Sequence, residues 1–261
     1  MRSTWKGTIS FGLVNVPIKL YAATEDKAVH FNMLHASDNS RIEYKKFCAE
    51  EQVEVDNDEI VRGYEYAKGN YVTVTDIDLE QVPVTSTRSI QISGFVDPGE
   101  VDAIYFQKPY YLEPQDGAAK AYSLFREAMT RVGKIAIGRL TLRERERVVA
   151  IRPHDNVLML ETLLYPDEIR SSSELEGLDG AVASDGEVSL AINLIEALST
   201  AFDPAAYQDE YRIAVLDLIN KKIAGQPIET PADTQPKDQV VDLMEALRAS
   251  VSMAQASAAA A

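Results

Sequence analysis

The chain has 261 residues, 46% of them apolar, which is enough for a sizeable core and excludes disorder along its whole length. It holds no run near the roughly 18 apolar residues of a membrane span and no apolar signal core behind MRSTWKG, so a cytoplasmic protein with no membrane partner is expected. The single cysteine, Cys48, excludes an internal disulfide and a thiolate metal site, and a formal charge of −15 speaks at face value against binding nucleic acid.

Val14, Val16, Ile18 and Leu20 alternate with Asn15, Pro17, Lys19 and Tyr21, the pattern of a half-buried strand. Pro17 cannot donate to a ladder, which predicts a sheet edge or bulge there, and Gly7 and Gly12 predict bends in a closing, barrel-like sheet. Residues 25–58 are polar and end in EEQVEVDNDE, so they read as a projecting arm or, alternatively, a loose surface loop. Residues 71–75, YVTVT, form a strand by residue type, followed by a short helical turn that Asp76 can cap.

Ser89 to Val96 alternates again, Asp97-Pro98-Gly99 is a turn signal, and 104–112 supplies a partner strand. Residues 117–132 are helical, with Ala121, Leu124, Phe125, Ala128, Met129 and Val132 on one apolar face and Gly133 as the stop. From Lys134 the period returns to two, with a phase slip near Gly138, giving a three-strand meander whose turn region carries RERER at 143–147.

Helical spacing returns with Val188, Ala191, Ile192, Ile195, Leu198 and Phe202, and Asp203-Pro204 opens a further helix bearing Tyr211, Val215, Leu218 and Ile219. Residues 225–238, with three prolines and little apolar mass, read as an extended linker. A short helix at 239–250 carries Val240, Leu243, Met244, Leu247 and Val251 as a stripe with nothing nearby to bury it, so it is a docking peptide or an intramolecular flap.

No phosphate loop, nucleophile elbow, HExxH, metal-spaced Cys/His set or dinucleotide fingerprint is present, so no catalytic residue, cofactor or metal is assigned. Basic residues are distributed unevenly. Residues 120–152 hold nine Lys and Arg against three Asp and Glu, whereas 171–261 hold 5 against 15. Candidate phosphate-binding residues are Arg41, Lys45, Lys46, Arg62 and Lys68 in and beside the arm, and Lys134, Arg139, Arg143, Arg145 and Arg147 in the meander. In an extended chain, the mostly even spacing of Arg139, Arg143, Arg145 and Arg147 places them in one row, with Glu144 and Glu146 opposite. The same alternation also fits a solvated, salt-bridged hairpin. From residues alone, two other classes stay open: a β-barrel small-molecule enzyme using His30, His35 or His154 with a carboxylate, and a protein-only scaffold.

The run WKGTISFGLVNVPIKLYAAT at 5–24, with RIEYKKFC, EIVRGYEYAKGNYV, FQKPYYLEP and DLMEALRASV further on, resembles the prokaryotic Ku proteins of non-homologous end joining over nearly the whole chain. The resemblance implies an α+β, mainly β fold: a Ku-type β-barrel with a long projecting arm and peripheral C-terminal helices, assembled as a ring-forming homodimer. In these terms residues 1–170 are the barrel core with the arm at about 27–68, 171–224 its helical C-terminal part, 225–238 a linker, and 239–261 a ligase-recruiting helix and alanine-rich tail. It further implies a non-enzymatic, nucleoid-associated factor that binds double-stranded DNA ends without reading sequence, protects them and recruits DNA ligase D. Asp242, Leu243, Met244, Leu247 and Val251 then contact the ligase. Two departures stand out: where many relatives carry paired cysteines this chain keeps only Cys48, so no metal-stabilised hook is expected, and it ends in alanine where some relatives carry a lysine-rich tail.

Overall fold

Strand-forming alternation over the first two thirds of the chain and helical spacing beyond it give two compact units in the computed structural model. It describes residues 1–82, 88–142, 145–177, 183–227 and 243–260. One unit comprises Met1–Lys27 and Phe31–Ser171, the other Ala28–His30 and Ser172–Ala261.

In chain order the first unit contains β1 (Trp5–Phe11), β2 (Val14–Ala22), β3 (Phe47–Cys48), β4 (Val53–Glu54), β5 (Arg62–Ala67), β6 (Asn70–Val74) and α1 (Asp76–Glu80). It continues with β7 (Ser89–Val96), β8 (Phe106–Pro114), α2 (Ala119–Val132), β9 (Ile135–Leu142), β10 (Arg145–His154) and β11 (Val157–Leu163). Seven strands close a barrel in the order β1-β2-β8-β11-β10-β9-β7, the last pairing parallel to β1 and every other pair antiparallel. Alternate residues fill it: Ile9, Val16, Ile18, Leu20, Ile90, Leu112, Leu140, Val149, Ile151, Leu158 and Leu160 are at most 1% exposed and form one cluster. Each contributes roughly 1.5–3 kcal/mol by leaving water.

Two glycines let the barrel close. A Cβ on Gly7 would collide with the Trp5 ring and the Arg88 carbonyl, at the seam where the Thr8 amide donates to that same carbonyl (3.0 Å). A Cβ on Gly138 would lie 2.5 Å from the Gln91 carbonyl oxygen across the β7–β9 pair.

Helix α2 closes one end. Phe125 stacks on Phe11 at 4.6 Å and meets Phe95 edge-on at 6.3 Å, and the Arg126 guanidinium donates to the Asp155 carbonyl (3.0 Å) in the β10–β11 turn. The Tyr122 hydroxyl donates to the Leu112 carbonyl and accepts from the Leu158 amide, both at 2.6 Å, joining β8 to β11. The buried stripe of α2 is therefore Tyr122, Phe125 and Met129, while Leu124 and Val132 face solvent, contrary to the purely apolar face expected from the sequence. An aromatic ring with a satisfied hydroxyl buries better than an outward leucine.

The register corrects further expectations. Pro17 lies on the outer face of a barrel strand that has neighbours on both sides, not at a sheet edge or bulge. It pairs with Thr8, and its carbonyl, accepting from the Gln115 amide at 3.0 Å, faces the point where the β2–β8 ladder has ended, so its missing N–H leaves no gap. Strands β7 and β8 share the barrel but are not neighbours. No phase slip occurs in β9: Ala136, Gly138 and Leu140 point inward, while Ile135 and Ile137 join a smaller outer cluster with Ala150 and Leu163, and the irregularity sits in β7 between Ile92 and Gly94. Residues 71–75 extend a hairpin of the arm and not the barrel, and the α1 cap is Thr75, whose hydroxyl accepts from the Asp78 amide (3.2 Å).

Between β2 and β7 the chain makes an excursion carrying the β3–β4 and β5–β6 hairpins and α1. Residues 31–82 contain no buried position, and Phe31, Tyr44, Tyr64, Tyr66 and Tyr71 are 64–81% exposed. The arm is thus ordered and bears an aromatic surface.

In the second unit, α3 (Asp185–Leu198) starts at Ser184, whose hydroxyl caps the Glu187 amide, and stops before Phe202. Then comes α4 (Glu210–Ile223), which opens only after a short turn at Pro204–Ala206. α5 (Leu243–Ala260) packs beside α3 and runs on into the alanine-rich tail, ten residues past the expected end at 250.

Candidate nucleic-acid interface

The barrel end opposite α2 is where the inward rows stop being apolar. Along β10 the residues in phase with Val149 and Ile151 are Arg147 and Arg145; along β8, Lys108 is in phase with Tyr110 and Leu112; along β11, Thr162 is in phase with Leu158 and Leu160. Thr24 continues the β2 row and Leu142 the β9 row. These residues, with Gln107, line one concavity of about 610 Å³ at the barrel mouth. The arm leaves the barrel at the C-terminal end of β2 and returns at the N-terminal end of β7, which is this same end.

Among the described residues the mouth lining holds three cations and no carboxylate, in a chain with 41 Asp and Glu. Gln107 Oε1 accepts from Arg147 Nη1 (3.3 Å) and from the Thr162 hydroxyl (3.5 Å), aiming the Arg147 guanidinium across the opening. Lys108 Nζ lies 5.8 Å from the centre of the Tyr110 ring. The Arg145 guanidinium has no hydrogen-bond or ion-pair partner among the described residues.

The other expected cations do not gather there. Arg139 lies on the outer face: β9 and β10 pair as Leu142↔Arg145 and Arg139↔Val148, so the hairpin reverses the phase of the even spacing. It pairs with Glu146 at 3.4 Å, while Arg147 shares the inner face with Leu140. The single row of four arginines is therefore split, and Arg143 itself lies outside the described residues. Lys134 is at the α2 end, paired with Asp97 (2.9 Å). In and beside the arm, Lys45 pairs with Glu54 (2.7 Å) and Arg62 with Asp76 (2.7 Å), while Arg41 donates to Asn32 (2.8 Å) and Lys46 to Asn57 (2.5 Å). Lys68 is exposed in the turn between β5 and β6. Exposed pairs of this kind are worth at most about 1 kcal/mol, so phosphate can compete for the cations, but only after their carboxylates are displaced.

Lys108, Gln107 and Thr162 escaped the sequence reading. Lys108 was legible as in phase with Tyr110 and Leu112, but its approach to Arg147 depends on the Thr162↔Lys108 register between β11 and β8.

Of the expected ligase contacts, Met244, Leu247 and Val251 are half-buried in α5, Leu243 opens that helix, and Asp242 lies outside the described residues. Among the described residues no three His, Cys, Asp or Glu side chains converge as metal ligands, and no helix is long and apolar enough to cross a membrane. The histidines are dispersed over the fold: His30 and His35 precede the arm's first hairpin, His35 being held by Ser37 (2.9 Å) and Asp38 (3.2 Å), and His154 ends β10.

Comparison with known proteins bears on this arrangement. Residues 10–190 match the family model of the Ku70/Ku80 beta-barrel domain. The chain is 46% identical over 261 residues to the non-homologous end joining protein Ku of Symbiobacterium thermophilum, covering all of this chain and 65% of that protein. Identity is 42% to the Bacillus subtilis protein of that name, with 96% of this chain and 82% of the relative covered. To the Archaeoglobus fulgidus protein it is 44%, with 96% and 98% covered. A closed seven-strand barrel whose one mouth is basic and gives rise to a long ordered arm, together with identity of this extent, places the chain in the Ku family.

Proposed function

We propose that this protein binds double-stranded DNA ends without reading their sequence, as a homodimeric ring in non-homologous end joining, and is not an enzyme. The observation that carries the reading is the trio Lys108, Arg145 and Arg147 at the root of the arm, which no carboxylate accompanies among the described lining residues. Phosphate contacts give affinity through counterion release, and three cations without carboxylate partners supply that at least cost. Base reading requires side chains presented to a groove by a recognition helix or ribbon, whereas these cations sit in a concave barrel mouth.

A ring also reconciles a net charge of −15 with DNA binding. A closed ring needs few contacts because escape requires sliding off an end, and its acidic exterior repels side-on approach. One arm cannot encircle a duplex but a two-fold pair can, and the aromatic surface of the arm, with Tyr44 81% exposed, supports burial against a second copy. The remaining candidates Arg41, Lys45, Lys46, Arg62, Lys68, Lys134, Arg139 and Arg143 contribute secondary contacts.

Recruitment of DNA ligase D belongs to α5. Its stripe of Leu243, Met244, Leu247 and Val251, preceded by Asp242, is the apolar face a ligase groove would accept, and its position beside α3 favours a flap that the ligase displaces.

The test is a competition gel shift at near-physiological salt, with a labelled linear duplex challenged by equal masses of linear or covalently closed circular DNA. Competition by linear DNA alone is expected. Equal competition would replace threading with side-on binding, and absence of any shift would favour the scaffold.

A further inference from the structure

We propose that Gln107 is a positioning residue for DNA binding, turned into the barrel mouth by a β-bulge and there holding Arg147 in the orientation in which it meets phosphate. The inference rests on the reading of the mouth as a DNA surface and deepens it. In a regular strand Phe106 and Lys108, two residues apart, would point to the same face. They do not. Lys108 pairs with Thr162 and continues the inward row of Tyr110 and Leu112, whereas Phe106 pairs with the next residue, Leu163, and joins it in the outer cluster. From one pair to the other β8 advances two residues while β11 advances one, so Gln107 is the residue in excess.

Bulges at barrel rims re-aim side chains, and this one frees Gln107 from the outward phase of Pro109 and Tyr111. Its Oε1 accepts from the Thr162 hydroxyl, on the inner face, at 3.5 Å and from Arg147 Nη1 at 3.3 Å. Thr162 is only 3% exposed, so the amide oxygen is tied to a fixed point of the barrel wall. Among the described residues that oxygen is the only hydrogen-bond acceptor of the Arg147 guanidinium, and no carboxylate of the described lining could take its place. A neutral acceptor orients the planar fork without cancelling its charge. A free arginine has many rotamers to give up on meeting phosphate, a loss of about two- to tenfold in affinity that a side chain already held avoids.

The experiment measures binding of the full chain to a labelled linear duplex by fluorescence anisotropy at several salt concentrations, for wild type, Gln107→Met, Arg147→Ala, the double variant and Gln107→Glu. Gln107→Met, similar in size but without the acceptor, is expected to weaken binding about two- to tenfold and to leave the slope of log K against log salt unchanged, since no charge leaves the mouth. Arg147→Ala should lower that slope by about one. In the double variant Gln107→Met should add no further loss, because its effect passes through the guanidinium. Gln107→Glu should lower the slope as Arg147→Ala does, its carboxylate neutralising the fork it touches. Wild-type affinity in Gln107→Met overturns the proposal, as does a wild-type slope in Gln107→Glu. So does a loss in Gln107→Met that is equally large with and without Arg147, which is what a merely loosened rim would give. If Arg147→Ala binds like wild type at every salt, it is the reading of the mouth as a DNA surface that fails, and the inference falls with it.

Discussion

Lys108, Arg145 and Arg147 line the barrel mouth with no carboxylate among the described lining residues. Replacing any one with alanine is therefore expected to weaken binding to all DNA sequences alike and to lower the slope of log K against log salt by about one, measured by fluorescence anisotropy at several salt concentrations. Arg139→Ala, which first frees Glu146 of its partner, should change the slope by less. Tyr122 acts on stability instead. Tyr122→Phe strands the Leu112 carbonyl and the Leu158 amide, and a loss of about 1–3 kcal/mol in urea unfolding is expected. Burial holds the Tyr122 phenol above its ordinary value of 10.0, so the folded state retains the proton longer than the unfolded one. Its contribution is complete below pH 10.0 and is lost as pH rises past that value, and the Phe variant should lose this alkaline step. At this scale the sequence was a partial guide. Arg145 and Arg147 were legible as a basic pair, but their union with Lys108 is a matter of register across three strands, and no spacing along one strand encodes it.

Barrel closure depends on two small positions. Gly138→Ala is expected to cost about 1–3 kcal/mol by chemical denaturation, because the added methyl meets the Gln91 carbonyl and backbone there cannot yield as a side chain would. The elements themselves were largely legible: the strand at 14–20, the helix at 117–132, the meander and the C-terminal helices all follow from period two or 3.6. Strand neighbours were not, since β8 passes over β7 to join β2 and β11, and adjacency in sequence says nothing of such a step. Periodicity also misjudged α2, where a hydroxyl satisfied by two backbone groups makes Tyr122 a core residue. In α5, Leu247→Asp should loosen the helix from α3, seen as faster limited proteolysis, and should reduce stimulation of DNA ligase D while leaving the gel shift unchanged.

For the whole molecule the arm is the decisive feature. The excursion from 31 to 82 has no buried residue yet exposes rings at Tyr44, Tyr64 and Tyr71; on the proposed reading it pairs with a second copy, and light scattering should then give about twice the chain mass of 28.8 kDa. The barrel and arm were legible in outline because polar composition over 25–58 cannot build a core; the basic mouth at the arm's root was not, because it arises only when the strand ends meet. The measurement that bears most directly on threading is to load the protein on a linear duplex, ligate the DNA into a circle and then raise the salt with excess linear competitor. A ring is expected to stay trapped on the circle and to leave only when a nuclease reopens it. Release from the closed circle as fast as from linear DNA would contradict the account.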